Sequence, residues 1–350
     1  MKQKPTISVI IPVFNRSSLI HYTIDSVIGQ TFKDWECLVV DDGSTDDSEA
    51  VVQRYCERDT RFKFYKRPSS KPKGANACRN YGLELGVGTY IVFLDSDDLL
   101  HSTALEKRLE VMQRKQNDMV VSHSMAFKER IGDMDLVWNR MAETSSNEAL
   151  LIRYFNTDMP WCTNAVLWSR DFLLKVGGWN EQLVAWQDWD IHVRSLIMDA
   201  KVEIMTGAPD NFVRHTTEGH IGSLYRTKSY YISLCYMVSS IGVQLKRSMF
   251  STSKPVLSSY HVFVLIWCVQ KPIIRGFKFL PIKMLFKKRL FNQVSVFKYV
   301  KTYMIQGLIV YGQRNKFVYN LFRRLIEHQV SALEINSTHN KLKIEDLSRC

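Results

Sequence analysis

The sequence predicts an α/β fold in which a mostly parallel sheet is flanked by helices. Three short apolar runs, ISVIIPVF, ECLVV and YIVFL, are rich in β-branched residues and end at polar or acidic residues, which is typical of buried strands. Helical patterns lie between these runs, and such alternation is typical of parallel sheets with both faces covered. The chain has 350 residues, and 45% of them are hydrophobic. It can therefore bury the large core that such a fold needs.

The remaining elements follow from the spacing of apolar residues along the chain. We predict a first helix in SLIHYTIDSVIGQ and further helices at Ser48–Arg58, Ala75–Leu85 and Ala104–Lys115. A short strand is expected at Phe62–Tyr65, and MVVSHSMAF is expected to form one later strand. The segment AVLWSRDFLLKVGGWNE predicts a strand, a short helix and a Gly-Gly turn, followed by a helix that begins near Gln187.

Charge is distributed unevenly along this chain, whose formal net charge is +12. Residues 1–224 carry 26 Lys and Arg against 31 Asp and Glu, whereas residues 225–330 carry 18 against 1. The basic character therefore belongs to the C-terminal part. We predict an α/β domain at 1–224, a basic, aromatic-rich and mainly helical region at 225–330, and a polar tail at 331–350.

The seven cysteines form no CxxC pair and no regular framework. The apolar run Ile7–Phe14 is closed by Asn15 and Arg16, and it is too short for the apolar core of a signal peptide. We therefore expect reduced thiols in a cytoplasmic protein.

Clustered carboxylates follow two neighbouring predicted strands. DDGSTDDS comes after ECLVV, and DSDD, with Asp95, Asp97 and Asp98, comes after YIVFL. Ligands of open α/β sheets bind beyond the carboxyl ends of the strands, so both clusters are expected at one edge. Carboxylates this close repel one another unless a cation or donor groups satisfy them, and oxygen ligands suit Mg²⁺ or Mn²⁺. The pattern predicts a divalent metal that joins Asp97 or Asp98 to a diphosphate.

A simpler explanation exists for each cluster. Asp42 and Gly43 could form only a turn, and DSDD could only cap a helix that begins near Leu99, since Asp and Ser are ordinary caps. Two such clusters at successive strand ends favour the ligand site.

The order of ISVIIPVFN, QTFKDWECLVVDDGSTDDS and GANACRNYGLELGVGTYIVFLDSDD strongly resembles the signature of glycosyltransferase family 2, across roughly residues 6–220. The resemblance implies inverting enzymes of the GT-A fold, a Rossmann-like, mostly parallel sheet flanked by helices. It also implies that the backbone near Pro12 and the side chain of Asp42 hold the nucleobase. Arg79 matches the arginine of the family's ARN segment, which is expected near the nucleotide or supporting its pocket.

The same resemblance divides the work among the acids of DSDD. It implies that Asp95 contacts the ribose of the nucleotide sugar, while Asp97 and Asp98 contact the metal and the diphosphate. Cys78 stands where the family usually has Ala, a small-for-small change that we expect to be harmless.

Transfer of a sugar to a hydroxyl needs a base for the acceptor proton, and WQDWDIHVR offers Asp188 and Asp190 after the GGWNE turn. The resemblance aligns Asp188 with the acid of the family's ED motif, its proposed general base. The usual preceding Glu is Gln187 here, which removes one negative charge and is expected to lower the pKa of the base slightly. Alternatively, Asp188 is only an acid at a helix N-terminus, and Asp190 only a helix-face carboxylate.

Aromatic residues and histidines complete the predicted site. Aromatic faces suit sugar rings, and the family's GG[FW]-[DN]-E segment lies on the acceptor side, so the resemblance implies Trp179 as acceptor platform. For Trp161, Trp186 and Trp189, burial in the core is the expectation.

The family tends to place a histidine after the last strand of its catalytic domain, which makes His215, or less readily His220, a candidate ligand of metal or diphosphate. A purely structural role for His215 stays open.

Residues 225–330 interleave Lys and Arg with aromatic and aliphatic residues. Their longest apolar run, at 262–269, is far shorter than the ~20 residues of a spanning helix. We predict that this region lies on an anionic membrane surface, at the inner face of the cell membrane, which suits a lipid-linked acceptor. The alternative is a helical appendage packed on the catalytic domain. No nucleic-acid-binding motif is present, so we predict no nucleic-acid partner.

The predicted function is inverting transfer of a hexose or N-acetylhexosamine from a nucleotide diphosphate sugar, with UDP as the expected carrier. The expected acceptor is a hydroxyl of a glycan or lipid-linked saccharide in cell-surface polysaccharide biosynthesis. A non-catalytic sugar-binding protein is the main alternative, and the retained acids argue against it. A dinucleotide-binding oxidoreductase would need GxGxxG after the first strand, and a nucleotidyltransferase usually shows a glycine-rich, basic signature there. This chain has PVFNRS instead.

Overall fold

The computed structural model describes residues 4–138, 141, 145–215 and 227–270. Its strands are β1 (Ile7–Val13), β2 (Trp35–Asp41), β3 (Phe62–Lys66), β4 (Tyr90–Phe93), β5 (Leu99–Leu100), β6 (Met119–Val121), β7 (Ser124–Phe127), β8 (Val166–Ser169), β9 (Val202–Ile204) and β10 (Asn211–Arg214). Its helices are α1 (Ile20–Ile28), α2 (Ser48–Arg58), α3 (Ala75–Leu85), α4 (Ala104–Lys115), α5 (Asn147–Phe155), α6 (Arg170–Val176), α7 (Gln187–Ile197), α8 (Lys228–Arg247) and α9 (Lys254–Val264).

The main sheet has seven strands in the order β3-β2-β1-β4-β8-β6-β9. Strand β1 runs parallel to β2 and β4, with Val13 opposite Asp41 and Ile10 opposite Phe93, and only β8 runs antiparallel to its neighbours. The mostly parallel α/β sheet predicted from the sequence is confirmed. Because β1, β2 and β4 point the same way, the segments that follow them meet at one edge.

The strands form because their apolar runs can be buried on both faces. All seven residues of β1 and all seven of β2 are buried, and the apolar side chains form two large clusters. Helix α3 packs closely on β1, since a Cβ added at Gly82 would lie only 2.4 Å from Cγ2 of Ile10. This glycine lets α3 approach the sheet and fixes the height of Arg79 above it.

A second sheet of three strands, in the order β5-β10-β7, stands beside the first. The prediction of one strand in MVVSHSMAF is wrong, because the chain leaves the main sheet after Val121 and joins the small sheet at Ser124. The idea that DSDD caps a helix near Leu99 is also wrong. Leu99 and Leu100 form β5 and pair with β10, and the next helix begins only at Ala104.

The beginning of the basic C-terminal region packs on the main sheet. Apolar residues of α8 and α9, among them Tyr231 and Phe263, belong to the same core cluster as β4 and α7. Within the described residues, no helix has both the length and the apolar character needed to cross a membrane. His220, residues 271–330 and the tail at 331–350 lie outside the described residues, so the predicted division of the chain stays a prediction.

Candidate functional site

A cavity of about 810 Å³ opens at the edge where β1, β2 and β4 end. Its lining contains seven of the residues predicted for the site: Pro12, Asp42, Arg79, Asp95, Asp97, Asp98 and Asp188. It also contains Arg16, Trp138, Val213 and Arg214, which the sequence analysis did not select. Trp179 and His215 do not line this cavity.

The two adjacent acids after β2 have different tasks. The carboxylate of Asp41 accepts the backbone N–H groups of Gly43 at 2.9 Å and Ser44 at 3.0 Å, and Gly43 has a φ of +89° that favours glycine. The turn is therefore built by Asp41. Asp42 is left to face the cavity, where its Oδ1 accepts from Arg67 Nε at 2.6 Å and from the Gly74 N–H at 3.0 Å.

Asp95 is held by two residues that are distant in the sequence. Its Oδ1 accepts from Arg79 Nη2 at 2.5 Å, and its backbone N–H donates to Asn164 Oδ1 at 3.0 Å. The buried guanidinium of Arg79 also lies 4.4 Å from the ring centroid of Trp179 and donates to Gln187 Oε1 at 3.3 Å. Arg79 thus connects Asp95 to the segment that carries Asp188.

Asp97 and Asp98 differ in how far their charges are compensated. Asp98 is 4% exposed and accepts from the backbone N–H of Arg214 at 2.7 Å and from the Asn164 side chain. Burial and the charge of Asp97 raise the pKa of Asp98 well above its ordinary value. Asp97 forms an ion pair with Arg16 Nε at 3.5 Å, and burial together with the charge of Asp95 raises its pKa as well. Two crowded carboxylates therefore retain an incompletely neutralised charge.

This arrangement fits a cation that is held partly by the substrate. Among the residues that the structure describes, no three His, Cys, Asp or Glu side chains are grouped so as to hold a metal ion. Mg²⁺ typically uses one or two carboxylates together with substrate phosphates, which suits such a site. Asp97 is the better candidate ligand because Asp98 already accepts from two donors. His215 is exposed, and its backbone N–H donates to the carbonyl of Phe127 at 2.6 Å.

Asp188 lies in the first turn of α7 and lines the same cavity as Asp95 and Asp97. The chain enters α7 through Trp186, whose φ of +63° is unusual for a bulky residue. Oδ1 of Asp188 accepts the Trp189 N–H at 2.9 Å. Burial and the charge of Asp95 raise the pKa of Asp188, while the Trp189 N–H and Arg79 act in the opposite direction. Such a raised pKa suits a general base.

Asp190 has a structural role, in agreement with the alternative that it is only a carboxylate on the face of α7. It is fully buried and accepts from Arg194 Nε at 2.8 Å. Arg194 also donates to the carbonyls of Val176 at 2.6 Å and Gly178 at 2.7 Å. The pair therefore ties α7 to the Gly-Gly turn.

The tryptophans are placed differently from the expectation for the acceptor side. Trp179 is 3% exposed, and its ring contacts Phe93 and Arg79 inside the protein. Its faces are covered, so the structure does not present it as an acceptor platform. Trp161 and Trp189 are buried in the core, as expected. Among the described residues, the tryptophan that lines the cavity is Trp138, which is 38% exposed.

Sequence reasoning missed several polar residues that organise this site. Arg67 follows β3 directly and Arg214 ends β10, so the rule of looking just after the strands could have identified both. Asn164 lies in a short 3₁₀ helix, Thr163–Ala165, before β8. No motif marked it, because its partners Asp95 and Asp98 lie more than sixty residues away in the chain.

Comparison with known proteins places this geometry in context. Residues 8–173 match the family model described as Glycosyl transferase family 2. The chain is 42% identical over 122 residues to an uncharacterized glycosyltransferase from Rickettsia conorii. The aligned segment covers 35% of this chain and 19% of the relative. It is 40% identical over 119 residues to the poly(ribitol-phosphate) beta-N-acetylglucosaminyltransferase TarP from Staphylococcus aureus, covering 33% of this chain and 35% of that protein.

A further relative is the GalNAc(5)-diNAcBac-PP-undecaprenol beta-1,3-glucosyltransferase from Campylobacter jejuni. It is 42% identical over 106 residues, covering 30% of this chain and 34% of that protein. The match therefore spans less than half of the length of each of these curated relatives.

Solved structures match over nearly the whole chain. S. aureus TarS 1-349 in complex with UDP-GlcNAc has a TM-score of 0.62 at 17% identity, covering 94% of this chain and 92% of that chain. The mannosyltransferase PcManGT from Pyrobaculum calidifontis, in complex with GDP-Man and Mn²⁺, has a TM-score of 0.51 at 17% identity, covering 96% and 89%. At this identity the likeness concerns the fold alone, and it confirms the predicted GT-A fold.

Proposed function

We propose that the protein is an inverting glycosyltransferase that takes a hexose or N-acetylhexosamine from a nucleotide diphosphate sugar, since residues 8–173 match the family model described as Glycosyl transferase family 2. The observation that carries this proposal is the presence of Asp42, Asp95, Asp97 and Asp188 in the lining of one cavity of about 810 Å³. A nucleotide site and a base for the acceptor hydroxyl are thus within reach of a single substrate molecule.

UDP is the proposed carrier. Among the described residues, the donors to Asp42 are Arg67 Nε and the Gly74 N–H. Both bond to Oδ1, which leaves Oδ2 for the imino N–H of a uracil ring. Asp95 would accept from the ribose hydroxyls while Arg79 keeps its carboxylate in place. The structural neighbour that holds UDP-GlcNAc supports this choice, and the one that holds GDP-Man marks the alternative base.

The diphosphate would lie near Asp97, Arg16 and Arg214, which line the same cavity. A Mg²⁺ or Mn²⁺ ion held by Asp97 would neutralise the charge that develops on the departing diphosphate. The two arginines add positive charge on the protein side. The neighbour solved with Mn²⁺ supports a divalent ion.

Asp188 is the proposed general base. Its Oδ1 is occupied by the Trp189 N–H, so Oδ2 would receive the acceptor proton. As the acceptor oxygen bonds to the anomeric carbon, the bond from that carbon to the diphosphate oxygen breaks, and the configuration is inverted. The names of the relatives support a glycan or lipid-linked saccharide as acceptor and a role in cell-surface polysaccharide biosynthesis.

We further propose that the protein is peripheral on the inner face of the cell membrane. The support is the excess of 18 Lys and Arg over 1 Asp or Glu in residues 225–330, which favours an anionic surface. A lipid-linked acceptor would be presented at such a surface.

One experiment tests the enzymatic proposal. The full chain is incubated with a panel of UDP- and GDP-sugars, with Mn²⁺ or with EDTA, and nucleotide diphosphate release and donor-induced thermal stabilisation are both measured. We expect one UDP-sugar to stabilise the protein and to be turned over when Mn²⁺ is present. Stabilisation without any release, across a panel of acceptors, would identify a non-catalytic sugar-binding protein. Absence of stabilisation by every donor, with and without metal, would overturn the proposal.

A further inference from the structure

One aromatic ring of the cavity has no role in the proposed chemistry. Trp138 lines the cavity and is 38% exposed, whereas Trp179 is 3% exposed and lies outside it. The other exposed aromatic ring of the lining is Phe14, which is 39% exposed and has Lys73 Nζ at 4.1 Å from its centroid. The cavity thus has two accessible aromatic faces.

The two rings are carried by segments that lie next to different sheets. Phe14 follows β1, beside Asp42 at the end of β2, so it belongs to the side proposed for the nucleobase. The segment that carries Trp138 instead runs along β7, a strand of the small sheet. Its neighbours in the lining, Val213 and Arg214, come from β10 of that same sheet.

The backbone around Trp138 is fixed, although the ring is open to solvent. Val137 is 1% exposed and forms an antiparallel bridge with Met125. The Trp138 N–H donates to the carbonyl of Ser124 at 2.8 Å, and the Ala126 N–H donates to the carbonyl of Leu136 at 2.8 Å. The ring is therefore held at the cavity by backbone hydrogen bonds on both sides of Val137. A rigid aromatic ring placed in this way offers a contact surface at little cost in conformational entropy.

We propose that Trp138 is the platform for the acceptor, and that the acceptor presents a pyranose ring whose C–H face stacks on the indole. This inference rests on the proposed transferase function. A flat apolar ring beside polar groups is the usual lining of a site that must hold both the C–H face and the hydroxyls of a sugar. Trp138 and the proposed base Asp188 line the same cavity, so a sugar stacked on Trp138 would lie in the cavity that holds the base. An open-chain polyol has no such face and would gain little from the ring.

The test compares Trp138→Ala and Trp138→Phe with the wild type. The donor is the nucleotide sugar that the wild type turns over, and the acceptors are octyl hexopyranosides, octyl N-acetylhexosaminides and the open-chain polyol ribitol. We expect Trp138→Ala to raise the KM for the preferred pyranoside at least tenfold, with Trp138→Phe recovering most of the loss. The Kd for UDP and the rate of donor hydrolysis by water should stay within twofold of wild type. Ile131→Ala is the control, since Ile131 is 49% exposed in the same connection and does not line the cavity.

The outcomes separate this inference from the proposed function. An inactive wild type that binds no donor contradicts the transferase itself. An active wild type whose pyranoside KM is unchanged in Trp138→Ala overturns only the inference. The same is true if the Kd for UDP rises as much as the acceptor KM, because Trp138 would then be a donor contact, or if ribitol is the preferred acceptor. Equal thermal unfolding midpoints of the variants and the wild type show that a change in KM does not reflect misfolding.

Discussion

The side-chain amide of Asn164 donates a hydrogen bond to the buried carboxylate of Asp98. The Oδ1 of the same side chain accepts the backbone N–H of Asp95, so one residue joins the first and last acids of DSDD. The backbone carbonyl of Asn164 accepts from Arg108 Nη1 at 2.7 Å, and Arg108 forms a fully buried ion pair with Asp210 at 2.5 Å. The acids of DSDD are therefore held in place by buried polar contacts that run through Asn164 and Arg108 to Asp210.

Asn164→Ala should weaken both the fold and the donor site. The substitution leaves Asp98 buried with one donor fewer, and such a loss costs about 1–3 kcal/mol. We expect the free energy of unfolding to fall by about 2 kcal/mol and the Kd for UDP to rise roughly tenfold. Urea denaturation and calorimetric titration measure the two quantities. Asn117→Ala is the control, because the partly exposed Asn117 makes only a 3.4 Å bond to the carbonyl of Val111. Equal losses in the two variants would contradict the proposed role of Asn164.

Asp188→Asn should separate donor binding from transfer. Asparagine preserves the size of the side chain but cannot take the acceptor proton at neutral pH. We expect the Kd for the donor to change less than threefold, and the transfer rate to fall by about 10²–10⁴. The exposed first-turn acid of α6 provides the control Asp171→Asn, which should keep full activity. Full transfer activity in Asp188→Asn would remove this residue from the role of base.

The pH dependence of transfer should report the raised pKa of Asp188. Burial and the charge of Asp95 hold this pKa above the ordinary value of 3.8, and a base acts only when deprotonated. The kcat/KM should therefore fall as the pH falls through the raised pKa. In Gln187→Glu, a new negative charge next to Asp188 should raise its pKa further, so that the acidic limb moves to higher pH. An acidic limb at the same pH in both proteins would refute this assignment.

His192 should make the protein sensitive to acid. It is fully buried, its ring stacks on Trp168, and burial lowers its pKa from 6.5 to about 3. Below pH 6.5 the unfolded chain takes up a proton that the folded protein does not, so the free energy of unfolding falls with pH until about 3. For one proton the slope is at most about 1.4 kcal/mol per pH unit. Urea titrations at several pH values should show a smaller slope for His192→Phe than for the wild type.

Binding to anionic vesicles should depend on the basic sequence after residue 270. Deleting residues 225–330 would remove α8 and α9 from the core, so neutralising charges is the cleaner change. Replacing Lys283, Lys287, Lys288 and Arg289 with Gln removes about 1 kcal/mol of attraction per charge. We expect the affinity for phosphatidylglycerol vesicles, measured by sedimentation, to fall by up to about a thousandfold. In the wild type, the affinity should also fall as the salt concentration rises.

The matched control removes four exposed charges from residues 1–224. These are Arg54, Lys107, Arg114 and Lys175, each changed to Gln. The net charge of the two variants is then the same, so a difference between them reports the position of the charges. Equal vesicle binding by both variants would contradict a membrane-binding role for the C-terminal region.

Local sequence patterns determined the framework of this protein. Helices at Ser48–Arg58, Ala75–Leu85 and Ala104–Lys115 begin and end where the apolar spacing predicts, and α7 begins at Gln187. The acids of DSDD and Asp188 line one cavity, as their places next to elements indicated. Such features are predictable because helical period, strand length and strand ends are properties of short segments.

The packing of segments that are distant in the sequence determines which side chains face the cavity. Trp179 and Trp138 are similar in the sequence, each beside polar residues, yet one is covered by Phe93 and Arg79 and the other is open. Asp41 and Asp42 are adjacent, yet one builds the turn and the other meets Arg67. Exposure and hydrogen-bond partners are set by segments that meet only when the sheet closes. Short sequence segments therefore specify most of the helices and strands and the positions of the acids next to them. The contacts and exposure of each acid depend on the packing of distant segments.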